Sequence, residues 1–128
     1  AGNVEMITVN FRVSSEGLIK GMSLKGHSGY ADSGNDIICA SASTLLYTAI
    51  GSLEELCGLT DFYRLSETSR RSNLPEARVT IPDQELQKGA EGPTQWIMMS
   101  IRKGFLLLEK ADRDDYGGNH IKVMQQQG

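Results

Sequence analysis

The chain is poor in several of the residues that define common protein classes. It has two cysteines, three prolines and one tryptophan among 128 residues. Two cysteines can make at most one internal bridge, so a disulfide framework is excluded. The two histidines, His27 and His120, and the two cysteines, Cys39 and Cys57, lack the paired CxxC or HxxxH spacing of a zinc site. No continuous apolar run approaches the ~18 residues of a membrane span. A basic excess is also missing. Sixteen acidic against thirteen basic residues give a formal charge of -3. On that balance a phosphate backbone is a poor partner and no direct nucleic-acid contact is expected, whereas a basic peptide is electrostatically acceptable. Nothing resembling a secretory signal precedes the cysteines, so a reducing, cytoplasmic setting is expected.

What is present fits a single domain over residues 1–128, with Ala1 to Glu5 read as a remnant ahead of a native start at Met6. Ile7, Val9, Phe11 and Val13 alternate with polar residues, the pattern of a half-buried strand. After the turn Ser14-Ser15-Glu16-Gly17, Leu18 to Gly26 resumes a weaker alternation, which predicts a hairpin. Apolar or small residues at 38, 42, 45, 49, 53 and 56 predict a helix, with Asp36 as its N-cap and Gly58 as its stop. Gly51 is a candidate kink or helix break. Strands are expected at Asp61 to Glu67, Ala77 to Ile81 and His120 to Met124, and a second main helix at Thr94 to Ala111. The order ββαββαβ lacks strict βα alternation. It predicts a two-layer α+β fold, two main helices on a mixed or antiparallel sheet.

Chemistry concentrates in GHSGYADSGNDIIC, residues 26–39, a glycine-rich loop between a strand end and a helix start. With Asp36 as cap, Cys39 falls in the first helical turn, where unpaired N–H groups and the helix dipole favour a thiolate. Its own N–H then joins the candidate oxyanion donors. His27 is the candidate partner, because an imidazolium stabilises the thiolate and can later protonate an amine leaving group. Eleven residues separate them and could reach about 40 Å when extended, so contact is permitted without being required. A buried small hydrophobe for Cys39 and a backbone-satisfied strand-end imidazole for His27 remain open on this reading. Asp36 either caps the helix or orients His27, and Asp32 competes for the orienting role. Cys57, after Leu56 at the helix end, reads as core. Gly29 and Gly34 suggest a loop able to close over a peptide, and Ala40 to Ser43 give the helix a slim face that admits a close neighbour.

The stretch GHSGYADSGNDIICASAS, residues 26–43, resembles the signature of the ribosomal-processing cysteine protease family, Prp. The likeness lies in Gly26-His27, Tyr30-Ala31, Gly34 before Asp36-Ile37, Cys39, and Ser43 four residues on. It implies His27 and Cys39 as the catalytic pair, with Asp36 and Ser43 near the site. Ser28, Gly29, Tyr30 and Gly34 would belong to the substrate loop. It also implies a homodimer and, as substrate, the N-terminal extension of large-subunit ribosomal protein number twenty-seven. No metal and no cofactor are called for. Two other readings are a noncatalytic ribosome-associated peptide-binding module and a redox thiol protein. The second requires Cys57 close to Cys39.

Overall fold

The computed structural model describes residues 6–26, 33–66 and 74–128. In chain order the elements are β1 (Ile7–Val13), β2 (Ile19–Lys25), α1 (Ser33–Cys57), β3 (Tyr63–Leu65), β4 (Ala77–Thr80), the one-turn α2 (Asp83–Leu86), α3 (Pro93–Asp115) and β5 (Ile121–Gln127). The strands form one five-stranded sheet in the order β3-β4-β2-β1-β5. β1 pairs antiparallel with β2 and parallel with β5, so the sheet is mixed. The two-layer α+β expectation holds, and α2 is an element that the sequence pattern did not suggest.

The alternation of β1 decides where the core lies. Ile7, Val9, Phe11 and Val13 are buried, while Thr8, Asn10 and Arg12 face the other, half-open side. α1 lays Ile38, Ala42, Leu46, Ala49 and Leu53, all fully buried, into the common core. This i, i+4, i+8 repeat is the stripe that a helix needs to cover a sheet. α3 adds Met98, Ile101 and Phe105, whose ring meets that of Phe11 edge-on at 6.2 Å between centroids. Each such side chain contributes about 1.5–3 kcal/mol on burial. α1 and α3 meet closely at Gly104, where a Cβ would lie 2.6 Å from Leu45 Cδ2.

Several boundaries differ from the sequence expectation. α1 starts at Ser33, so Asp36 stands inside its first turn and is not the N-cap. Tertiary burial of Gly34 and Asn35 overrides their weak helix propensity. α1 is also continuous through Gly51, with neither a break nor a second helix there. Gly58 does end it, at φ 66°, with Leu59 N–H reaching Leu53 O at 3.2 Å and Gly58 N–H reaching Glu54 O at 3.1 Å. The Gly58–Glu54 bond is the single 5→1 bond of an αL cap. Although no continuous apolar run exists, α1 as a whole is long and apolar enough by composition to cross a membrane. Its apolar stripe, however, is packed into the core that it shares with the sheet and α3.

Candidate active site

The end of β2 and the start of α1 bracket the loop singled out in the sequence. Gly26 closes β2 with φ 89°, and a Cβ there would lie 2.4 Å from the Met6 carbonyl oxygen. Only glycine fits so close to a neighbouring strand in that conformation. His27 follows directly. His27, Ser28, Gly29, Tyr30 and Asp32 lie outside the described residues.

On the helix side, Asp36, Cys39 and Ser43 share one face, at i, i+3 and i+7. Asp36 is exposed, and Cys39 and Ser43 are half-buried, so all three are reachable from outside the core. The Cys39 thiol donates to Asn35 Oδ1 at 3.4 Å, one helical turn back. Asn35 is 7% exposed, and its burial fixes the amide against which the sulfur rests. Sequence reasoning passed over Asn35. It stands four residues before Cys39, but that spacing carries meaning only if the helix already runs through both. Gly34, expected in the loop, is likewise buried in the first turn of α1.

The earlier helix start changes the electrostatics of Cys39. It is the seventh residue of α1, in the second turn. The dipole effect falls off within the first turn, and among the described residues the backbone N–H groups without intrahelical partners are those of residues 33–35. The Cys39 N–H belongs to the helical ladder and is not an oxyanion donor. The start of α1 by itself therefore does little to favour a thiolate at Cys39.

Cys57 is a different kind of thiol. Burial first, and then the Glu85 carboxylate, push its pKa above the ordinary value, with Lys88 opposing. It lies eighteen positions from Cys39 on one continuous helix, about 27 Å away at ~1.5 Å per residue. The two cannot form a disulfide with each other, which removes the basis of the redox reading.

The family model described as cysteine protease Prp matches residues 6–116. The chain belongs to this family. Among characterised Prp proteins, the ribosomal processing cysteine protease Prp of two Staphylococcus aureus strains is 40% identical over 55 residues. That stretch covers 43% of this chain and about half, 49%, of the relative. In three dimensions the chain resembles SMU.848 of Streptococcus mutans, with a TM-score of 0.75, 20% identity and 96% of both chains covered. It also resembles an S. aureus Prp solved with a substrate peptide, with a TM-score of 0.63, 20% identity, and 94% of this chain and all of that one covered. At these identities the structural likeness speaks for the Prp fold.

Proposed function

We propose that this protein is a cysteine endopeptidase that removes the N-terminal extension of large-subunit ribosomal protein number twenty-seven, with Cys39 as nucleophile and His27 as general acid and base. The observation that carries the reading is the half-buried Cys39 thiol, held by Asn35 beside the loop that begins at His27, in a chain that matches the Prp family over residues 6–116. A free thiol near pKa ~8.5 is only a few per cent ionised at neutral pH, so it needs an imidazole partner. Because Cys39 lies beyond the first helical turn, His27 supplies most of the activation.

In the first step the Cys39 thiolate attacks the scissile carbonyl while the proton from sulfur resides on His27. Collapse of the tetrahedral adduct breaks the C–N bond, and His27 delivers that proton to the departing amine. Water, deprotonated by His27, then hydrolyses the thioester and regenerates the thiol. The unpaired N–H groups at the start of α1 are the candidate donors to the oxyanion, in place of the Cys39 N–H. Asp36 and Ser43 lie on the same helix face, where they bind substrate or orient the loop. Ser28, Gly29, Tyr30 and Gly34 form or anchor the peptide-binding loop. No cofactor enters this chemistry.

The setting is cytoplasmic and the working unit a homodimer. Exposed Ile37 and Tyr47 on α1, with Trp96, Met99 and Leu107 on α3, give the helical layer an apolar outer side for a second copy. The deciding experiment incubates the protein with the extended ribosomal protein from the same genome and locates any new N-terminus by mass spectrometry. Wild type is expected to yield one new terminus and Cys39→Ser none, with fold and dimer unchanged. Binding without cleavage by wild type would instead establish a noncatalytic peptide-binding module.

A further inference from the structure

The acidic total charge conceals a basic surface. Strand register places five cations on the sheet face turned away from α1 and α3. Arg12 lies opposite Gly21, Arg78 opposite Ser23, Arg64 opposite Arg78, and Lys25 and Lys122 both opposite Thr8. Lys25, Arg64, Arg78 and Lys122 are exposed. Two described acids, Glu76 just before β4 and Asp61, line the grooves on this side. Among the described residues, no ion pair within 4 Å joins any of the five cations to an acid.

The fold holds these like charges together at a cost. Arg64 and Arg78 are direct cross-strand partners, an arrangement that destabilises a sheet unless something neutralises it. Arg12 crosses the face of β2 to donate from Nη2 to Val79 O at 3.2 Å and Thr80 Oγ1 at 3.4 Å. It passes over Gly21, where a Cβ would lie 2.3 Å from that nitrogen. Its other terminal nitrogen, Nη1, is screened from solvent and has no hydrogen-bond partner among the described residues. Burial, and then the charge of Arg78, pull the Arg12 pKa below its ordinary value. Two grooves, of about 410 and 250 Å³, open on this side, and Arg64 and Arg78 line both.

We infer that this open sheet face docks the phosphate backbone of an RNA. The cations spread over five strands, about 19 Å at ~4.8 Å per strand, a two-dimensional array that suits a polyanion with more than one row of charges. An extended acidic peptide would follow a single line or an edge strand. Serine, threonine, asparagine and glutamine stand between the cations on the same face and supply further phosphate hydrogen-bonding groups, whereas no described strand residue on it is aromatic. Without a stacking platform, recognition is of backbone rather than base. The choice of RNA over DNA rests on the ribosomal-processing reading proposed above; the affinity for phosphate does not.

The test uses Cys39→Ser protein, so that binding is measured independently of cleavage, with a fluorescein-labelled mixed-sequence single-stranded RNA and anisotropy over a salt series. Binding is expected to weaken steadily with salt. Arg64→Ala with Arg78→Ala should weaken it at least tenfold and reduce the salt slope by about 1.4, at ~0.7 per lost charge. Lys122→Ala should give about half that slope change, while Lys110→Ala on α3 should leave binding unaltered. Absence of salt-dependent binding, or equal binding by the double variant, would overturn the proposal. Tighter binding of polyglutamate would assign the face to an acidic protein, and tighter binding of the matching DNA would refute the choice of RNA. Because cleavage of the ribosomal protein is scored separately, the enzymatic reading survives or fails on its own.

Discussion

Gln95 is the side chain whose loss can be worked through most fully from the structure. It sits on α3, 2% exposed, and its amide completes the backbone hydrogen bonding where β2 begins. Oε1 accepts from the Ile19 N–H at 2.7 Å and Nε2 donates to the Ile19 carbonyl at 2.9 Å. The side chain thus acts as a surrogate peptide unit beside the irregularity between Arg12 and Val13. Gln95→Leu keeps the approximate volume but strands the buried Ile19 N–H, at about 1–3 kcal/mol, and removes a second bond worth about 0.5–1.5 kcal/mol. A loss of about 2–4 kcal/mol is therefore expected in urea unfolding, seen as a lower midpoint at unchanged m. A loss below about 1 kcal/mol would refute the accounting. Gln95→Glu adds a check on sign. Burial raises the folded pKa of the new carboxyl above its unfolded value of about 4.3. Below that value the protonated acid can still donate to Ile19 O, so the variant lies nearest wild type in acid. As pH rises towards the folded pKa, stability falls and then levels off. A variant equally destabilised at every pH would show that donation to the Ile19 carbonyl contributes little.

The contrast between the thiols predicts selective labelling: near neutral pH iodoacetamide should modify Cys39 well before Cys57, whose raised pKa leaves less thiolate. Peptide mapping checks this, and faster labelling of Cys57 would contradict it. Cys57→Ala should retain cleavage, measured in the same assay as wild type. At the α1–α3 crossing, Gly104→Ala sets a gain in helix propensity of about 1 kcal/mol against a 2.6 Å approach to the movable end of Leu45. Little net change is expected. Gly104→Val lacks most of that gain and should cost about 1–3 kcal/mol in thermal or denaturant unfolding.

The alternation of Ile7 to Val13 already specified β1 and its inward face, because period two has no other economical reading. The helix-breaking character of Gly58 was legible for the same local reason, since a positive φ there terminates α1. Cys39 and its motif could also be read from the sequence, as could the Prp family they point to. The start of α1 could not. Gly34, Asn35 and Asp36 look like loop and cap by propensity, and the packing of Gly34 and Asn35 draws the segment into the helix. That shift places Asn35 under the Cys39 thiol and moves Cys39 out of the strongest dipole field. His27, the other half of the candidate pair, lies outside the described residues, so its approach to the sulfur is proposed from the motif.

Charge shows the division most clearly. The sequence sets how many lysines, arginines, aspartates and glutamates there are, and their sum is acidic. Which of them become neighbours depends on strand order and register. Arg12, Arg64 and Arg78 are far apart along the chain, yet β3-β4-β2-β1 pairing puts them on one face, while acids such as Glu109 and Asp114 fall on α3. Local pattern determines the elements because periodicity is a property of adjacent residues. The joining of Cys39 to Asn35 and of three arginines to one surface was decided by long-range packing, which a single sequence does not display.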